Sequence, residues 1–315
     1  MTHMSSFSTA SFTPTPAAIL FDKYEEVSFP SCGVPMTLSV WKAEKGAPSL
    51  VFYPGTMASP LLYDEALHRL RAYGFNVLGI HHLSHGKSPK IKKTFTFQDL
   101  LQNGKDAVSY ALERFASRVV LAGHSQGGIL CLAHAGQDER LSAAFPYCFL
   151  LPDQPQAIDV TRLKTFAPQR ERLLKILVRA AACVPRFPVM IPMYLDLKRI
   201  FAGNYGFSMK NKLRCTRLSY PLAYMASLFS AKLDYLTQPG NIRCPVLGMV
   251  AEDDALFAPQ LMQETLRHIQ APHKELILMP GGGHLAPLSP QGAAEYAAAV
   301  HERCAGLGLF SHACA

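Results

Sequence analysis

A chain of 315 residues, 49% hydrophobic and 17% charged, is long enough to bury a sizeable core and is neither a disordered chain nor a coiled coil. Its net charge of +8 is unevenly placed. Residues 151–240 hold 14 Lys and Arg against five Asp and Glu, a net of +9, and the remainder holds 17 basic and 18 acidic residues, a net of −1. Such a field favours an anionic partner, but the basic residues alternate with Leu, Ile, Val and Phe and match no recognition module, so nucleic acid is not expected.

Residues 1–20 carry no Lys or Arg and no apolar block of signal-peptide length, and are expected to be disordered. The most apolar stretch, 176–197, is cut by Arg179, Arg186, three prolines and Asp196, too many interruptions for a membrane span. Eight scattered cysteines form no C-x-x-C pair. This pattern, with no leader expected, predicts a reduced, cytoplasmic protein.

The first elements, 24–29 and 36–41, flank the turn-like Pro30-Ser31-Cys32-Gly33 and predict an antiparallel hairpin at a sheet edge. Short continuous apolar runs then recur at 48–54, 75–81, 118–123, 146–151, 244–251 and 275–279. Unbroken hydrophobicity of this length marks strands covered on both faces. Helical patterns lie between them at 61–73, 97–115, 128–135, 259–269 and 290–304. The alternation predicts an α/β fold with a mostly parallel eight-stranded sheet and helices on both faces.

Residues 151–240 break the rhythm after the sixth strand. The segment is basic, punctuated by proline and helical in pattern, especially at 169–182 and 225–235. An excursion this long reads as a helical cap over the carboxyl edge of the sheet, where open α/β sheets bind ligands. The expected organisation is a core of 21–150 and 241–305, a cap of 151–240 and a C-terminal tail of 306–315.

Gly123-His124-Ser125-Gln126-Gly127-Gly128 joins a strand-like run to a helical one. A strand ending in a tight turn into a helix lifts the central hydroxyl clear of the sheet and aims the helix N-terminus at it. The plainer alternative is a glycine-rich turn with an inert serine. A serine nucleophile needs a base, and the base needs an orienting acid. Ala251-Glu252-Asp253-Asp254 follows the seventh predicted strand, and Gly281-Gly282-Gly283-His284 follows the eighth. The order Ser125, Asp254, His284 suits a nucleophile, acid and base on a parallel sheet.

With these motifs in hand, the chain from about residue 24 to 304 resembles the α/β-hydrolase superfamily. It is most similar to the monoacylglycerol lipase, lysophospholipase and serine aminopeptidase branch. Residues 119–128 resemble its nucleophile elbow, 251–259 (AEDDALFAP) its acid loop and 282–288 (GGHLAPL) its histidine loop. The acid-loop alignment points to Asp254 over Asp253, with Asp153 as a further candidate after the preceding strand. Residues 81–88 (HHLSHGKS) resemble the loop after the family's fourth strand, with Ser84 where a glycine is usual. That match favours a structural role for His81, His82 and His85 over a metal cluster, and no metal or cofactor is expected. The resemblance places the oxyanion donors on the main-chain N–H groups of Gln126 and Thr56. Met57 is the alternative to Thr56, and the Thr56 hydroxyl an additional donor. It implies a serine hydrolase cleaving a medium- or long-chain acyl ester, monoacylglycerol- or lysophospholipid-like, at Ser125. An acyl thioesterase, a short-chain carboxylesterase, a cofactor-free haloperoxidase or carbon–carbon hydrolase, and a non-catalytic binding scaffold are the alternatives. The basic cap suggests peripheral contact with an anionic membrane surface. Oligomeric state is not readable from the sequence.

Overall fold

The computed structural model describes residues 3–6, 24–91, 94–115, 118–202 and 217–310. Nine strands form one sheet in the order β1-β11-β10-β7-β6-β4-β5-β3-β2. In chain order they are β1 (His3–Ser6), β2 (Glu25–Ser31), β3 (Val34–Trp41), β4 (Ser49–Tyr53), β5 (Asn76–His81), β6 (Val119–His124), β7 (Leu141–Tyr147), β10 (Val246–Ala251) and β11 (Lys274–Met279). The hairpin β2–β3 and its partner β5 run antiparallel, and the other pairs run parallel.

The predicted α/β-hydrolase sheet is present with all eight of its strands, and a ninth extends it. Every residue of β4, β5, β6 and β10 is buried, as their unbroken apolar runs require when helices cover both faces. Edge strand β2 alternates instead between exposed and buried positions. On the sheet pack α1 (Asp64–Ala72), α2 (Phe97–Arg114), α3 (Gln126–Ala135), α8 (Pro259–His268) and α9 (Pro290–Gly306). Helix α1 meets α9, and α2 meets α3. All ten residues of α3 are buried, so the helix behind Ser125 is held by the core rather than by solvent-facing charges.

Two expectations are corrected here. The segment 1–20 is not without structure throughout: β1 pairs in parallel with β11 from His3 to Ser6. The N–H and C=O groups along the edge of β11 accept any extended segment, so HMSS needs no apolar pattern of its own to form a strand. The rest of that segment lies outside the described residues. The sixth predicted strand begins at Leu141, not at 146. Pro146 is not its boundary but an interior residue. The N–H groups of Ala144 and Cys148 on either side bond to Pro245 and Met249 carbonyls, and Pro146 leaves one rung of that ladder unmade.

Between β7 and β10 lies the excursion. Helix α4 (Arg170–Cys183) falls where 169–182 predicted it, followed by strand β8 (Pro188–Met190) and the short helices α5 (Ile191–Tyr194) and α6 (Leu197–Ile200). Strand β9 (Ser219–Pro221) then pairs antiparallel with β8 and leads into α7 (Leu222–Phe229). The helix predicted at 225–235 therefore starts three residues earlier and stops at Phe229. A separate 3₁₀ turn covers Asp234–Thr237. The predicted tail at 306–315 is docked at its start, where the Phe310 ring meets Phe75 with centroids 4.8 Å apart. No described helix is long and apolar enough to cross a membrane.

The sequence moves outward in one direction through β4 and β5 and in the other through β6, β7, β10 and β11. The crevice at the carboxyl ends of β4 and β6 is thus the topological switch point, where ligands of such sheets bind. Thr56 follows β4 and Ser125 follows β6.

Candidate active site

Ser125 has φ 58° and ψ −119°, a left-handed strained conformation for a residue with a side chain. The turn is held by Ser125 N–H on the Tyr147 carbonyl (2.8 Å) and by Ile129 N–H on the Ser125 carbonyl (3.1 Å). It closes only because its neighbours lack side chains. A Cβ on Gly123 would lie 2.2 Å from the Gly127 carbonyl oxygen, and one on Gly127 would lie 2.0 Å from the Tyr53 carbonyl oxygen.

From this turn Ser125 Oγ sits 3.1 Å from His284 Nε2. The opposite nitrogen, His284 Nδ1, lies 3.0 Å from Asp254 Oδ2. A charged carboxylate only accepts, so Nδ1 carries the proton and Nε2 presents a lone pair to the serine hydroxyl. Asp254 Oδ1 accepts the N–H groups of Leu256 (2.7 Å) and Phe257 (2.9 Å), and Oδ2 also accepts the Cys148 thiol (3.0 Å). Burial opposes the charge on Asp254, yet the hydrogen bonds from His284, Cys148 and Phe257 hold its carboxyl below the usual 3.8. Burial, reinforced by the Asp254 charge, pushes the Cys148 thiol well up, so it stays protonated and donates.

The imidazole of His284 is fixed from its flanks. Phe257 stacks on it at 5.3 Å with ring planes 10° apart. His124 Nε2 donates to the His284 carbonyl (2.8 Å). Because that carbonyl can only accept, His124 Nδ1 is the acceptor for the Tyr63 hydroxyl (2.8 Å), whose oxygen in turn takes the Gly55 N–H (3.2 Å). Burial, with the neighbouring His284 second, lowers the pKa of His124 to about 3, so the ring remains neutral in this chain of bonds.

The remaining sequence-predicted candidates separate cleanly. Asp253 accepts the N–H groups of Gly282 (3.1 Å) and Gly283 (2.8 Å), bracing the histidine loop instead of touching the imidazole. Asp153 reaches the Leu233 N–H at 3.4 Å and not His284. Gln126 opens helix α3, where N–H groups lack intrahelical acceptors. Thr56 N–H has no acceptor among the described residues. Met57 N–H, the alternative donor, is taken by the Tyr220 hydroxyl at 2.8 Å. The Thr56 hydroxyl donates to Gln126 Oε1 (3.2 Å) and ties the two donor-bearing residues together.

His81, His82 and His85 do not converge. His81 bonds Ser39 Oγ (2.9 Å) and the Lys87 N–H (3.1 Å), His82 stacks on Tyr53, and His85 bonds the Leu83 carbonyl (2.8 Å) and the Tyr220 hydroxyl (2.9 Å). Ser84, where the resemblance expects a glycine, has the left-handed backbone that favours glycine, with φ 62°. Ligand atoms of His124, Cys148 and His284 do lie within 4.8 Å of one another. Each already bonds a neighbour, and a metal there would compete with the Ser125–His284–Asp254 chain.

Above Ser125 opens a mostly apolar cleft. Core residues such as Met57, Leu62 and Ile129 form one wall, and Ile191, Leu228 and Phe229 of the excursion form the other. Among the described residues no Lys, Arg, Asp or Glu lines it. The sequence motifs assign no role to Cys148, Tyr63, His124, Phe257 or Tyr220: His124 and Phe257 stand inside the elbow and acid-loop motifs, whereas the other three act through contacts between distant segments and carry no spacing signal.

Residues 50–299 match the family model described as the alpha/beta hydrolase family. A haloperoxidase-named protein of Mycobacterium phage D29 is 32% identical over 99 residues, 31% of this chain and 34% of that relative, so the match spans about a third of its length. Among solved structures, the chain is similar to the Paleococcus ferrophilus monoacylglycerol lipase, with a TM-score of 0.67 and 17% identity over 85% of this chain and 99% of that one. It is also similar to a soluble variant of the Saccharomyces cerevisiae monoglyceride lipase, with a TM-score of 0.68 and 16% identity over 94% and 99%. A thermophilic esterase from Thermogutta terrifontis aligns with a TM-score of 0.61 and 18% identity over 90% and 99%. With a family model spanning most of its length and the sheet, elbow and carboxyl-edge cleft in place, the chain belongs to the alpha/beta hydrolase family.

Proposed function

We propose that the protein is a serine carboxylic ester hydrolase acting on an uncharged ester of a medium- or long-chain acyl group, of the monoacylglycerol type. The observation that carries this reading is the Ser125–His284–Asp254 hydrogen-bonded chain at the floor of an apolar cleft. In this mechanism Ser125 Oγ attacks the ester carbonyl while His284 Nε2 takes its proton, and Asp254 balances the imidazolium. The N–H groups of Thr56 and Gln126 receive the developing oxyanion. Collapse expels the alcohol with the proton from Nε2, and water repeats the sequence on the acyl-enzyme.

The lining also discriminates among substrates. A phosphodiester head group would bring one negative charge, and a coenzyme A thioester several, into a wall that offers no cation among its described residues. Desolvating those charges without a partner is costly, whereas an aliphatic chain and a neutral glycerol are not penalised. An ester panel from acetyl to palmitoyl tests this, run with neutral glycerol, phosphocholine and coenzyme A leaving groups. The neutral long-chain esters are expected to lead in kcat/KM by at least roughly tenfold, the worth of one or two buried methylenes. A preference for acetyl esters would leave a short-chain carboxylesterase, and a preference for the thioester would leave a thioesterase.

We further propose a cytoplasmic protein whose cap meets an anionic membrane surface. Ten of the eleven exposed large hydrophobic residues among those described fall within 151–240, including Phe166, Ile176, Phe187 and Met193 at 51–59% exposure. Lys164, Arg172, Lys175, Arg179 and Arg186 are interspersed with them. Apolar side chains among basic ones suit an interface of acyl chains beneath anionic head groups. Co-sedimentation is expected with phosphatidylcholine vesicles containing phosphatidylserine and to weaken as salt is raised. Equal recovery with and without phosphatidylserine would remove the anionic-surface proposal.

A further inference from the structure

The loop after β4 presents three consecutive main-chain N–H groups, on Gly55, Thr56 and Met57. The outer two are each taken by a tyrosine hydroxyl: Gly55 by Tyr63 of the core at 3.2 Å, and Met57 by Tyr220 at 2.8 Å. Only the middle one, on Thr56, is left for the cleft among the described residues. Tyr220 is fully buried but does not belong to the sheet or to the helices that cover it. It lies on β9 of the excursion, 163 positions from Met57 in sequence.

The clamp on Met57 is two-sided. Arg217 N–H donates to the Met57 carbonyl at 2.9 Å, so the same strap of the cap holds both main-chain groups of this residue. Met57 has φ 61°, a conformation that a flexible β-carbon-bearing residue leaves unless its surroundings impose it. The strap is itself anchored. The Arg217 guanidinium donates to the Ser84 and Ser219 carbonyls and lies 5.0 Å above the Phe95 ring. Direction along the chain of bonds is determined by its last member. The Leu83 carbonyl can only accept, so His85 Nδ1 carries the proton and Nε2 accepts from the Tyr220 hydroxyl. The tyrosine oxygen is thereby free to accept the Met57 N–H. Burial lowers the pKa of His85 to about 4 and keeps this polarity through the neutral range.

We propose that Tyr220 is a positioning residue that assembles the oxyanion loop from the cap, holding Met57 so that Thr56 N–H faces the carbonyl attacked by Ser125. The inference rests on the hydrolase reading above. It gives the cap a role in the chemistry in addition to covering the cleft: the 217–221 strap has to remain docked for the loop to be complete. It also gives His85 a function as the acceptor that orients the tyrosine.

The test compares Tyr220→Phe with Tyr224→Phe, which removes a buried hydroxyl that has no hydrogen-bond partner among the described residues, on a ring stacked against that of Tyr220 with centroids 4.6 Å apart. Tyr220→Phe is expected to lower kcat roughly 10- to 100-fold, less than outright loss of an oxyanion donor and comparable to misplacing one by about an ångström. KM should stay within about threefold, because the acyl-binding walls are untouched. Affinity for a trifluoromethyl ketone, whose adduct carries the oxyanion, should fall by the same factor as kcat, while Tyr224→Phe should leave both unchanged. His85→Leu, which leaves the tyrosine in place without its acceptor, should give a smaller parallel loss and serves if Tyr220→Phe does not fold. An active wild type whose kcat and ketone affinity survive these substitutions overturns the positioning role. A wild type with no esterase activity and no fluorophosphonate adduct overturns the hydrolase reading instead.

Discussion

Ser125→Ala is expected to lower ester hydrolysis by at least roughly 10⁴-fold, with thermal stability equal to or above that of the wild type. The two halves of this result have different origins. The rate falls because His284 Nε2, 3.1 Å from the missing oxygen, has no proton to take and no acyl-enzyme can form. The residual rate would come from Thr56 and Gln126 polarising the ester toward direct attack by water. Stability is not lost because the Ser125 side chain does not cap helix α3, and the turn is held by main-chain bonds to Tyr147 and Ile129. Alanine keeps the same left-handed backbone and does not relieve its strain. Hydrolysis at rates near the wild type would move the nucleophile elsewhere.

Asp254→Asn should cost about 10⁴-fold in kcat, the scale expected when an orienting carboxylate becomes an amide. The amide changes both charge and hydrogen-bond polarity. Three donors from protein neighbours, the N–H groups of Leu256 and Phe257 and the Cys148 thiol, converge on this carboxylate beside the His284 ring. The two N–H groups hold one oxygen in place, so the amide nitrogen is forced to the position that faces Cys148 and His284 Nδ1. An N–H there repels the Nδ1–H tautomer and favours protonation at Nε2, the nitrogen that must accept from Ser125. The comparison that isolates this effect uses the other two carboxylates. Asp153→Asn should be within a few-fold of wild type, because Asp153 contacts Leu233 and not the imidazole. Asp253→Asn should fall between, since Asp253 braces Gly282 and Gly283 next to the histidine. Steady-state kinetics on all three rank the carboxylates, and a loss at Asp153 or Asp253 equal to that at Asp254 would contradict the assignment.

The parts of this molecule that sequence makes readable are those encoded in contiguous residues. Strands β4, β5, β6 and β10 are short apolar runs that two layers of helices must cover, and the same buried pattern is found in the folded chain. The elbow, the acid loop and the histidine loop are likewise local, each a strand end followed by a turn. The parts that escaped are defined by encounters. β1 is a polar tetrapeptide made a strand by the edge it meets. β7 starts at Leu141, ahead of the apolar run at 146–151, because Pro146 reads locally as a boundary while the sheet tolerates it at the loss of one rung. Tyr220, Tyr63 and Cys148 come from three separate segments and become parts of the site only when the excursion, the loop after β4 and the end of β7 are folded against one another. The charge excess is plain in the sequence, but that none of its described members lines the cleft is not, because periodicity does not say which helix face turns toward the sheet.

The central claim is that one hydroxyl, that of Ser125, is activated by the imidazole of His284. The most direct measurement is treatment of the wild-type protein with a fluorophosphonate, followed by intact mass and peptide mapping. The account predicts a single phosphonyl adduct per chain, on the peptide bearing Ser125, that does not form in His284→Ala. An unmodified protein, an adduct on another residue, or equal labelling without the imidazole would contradict it.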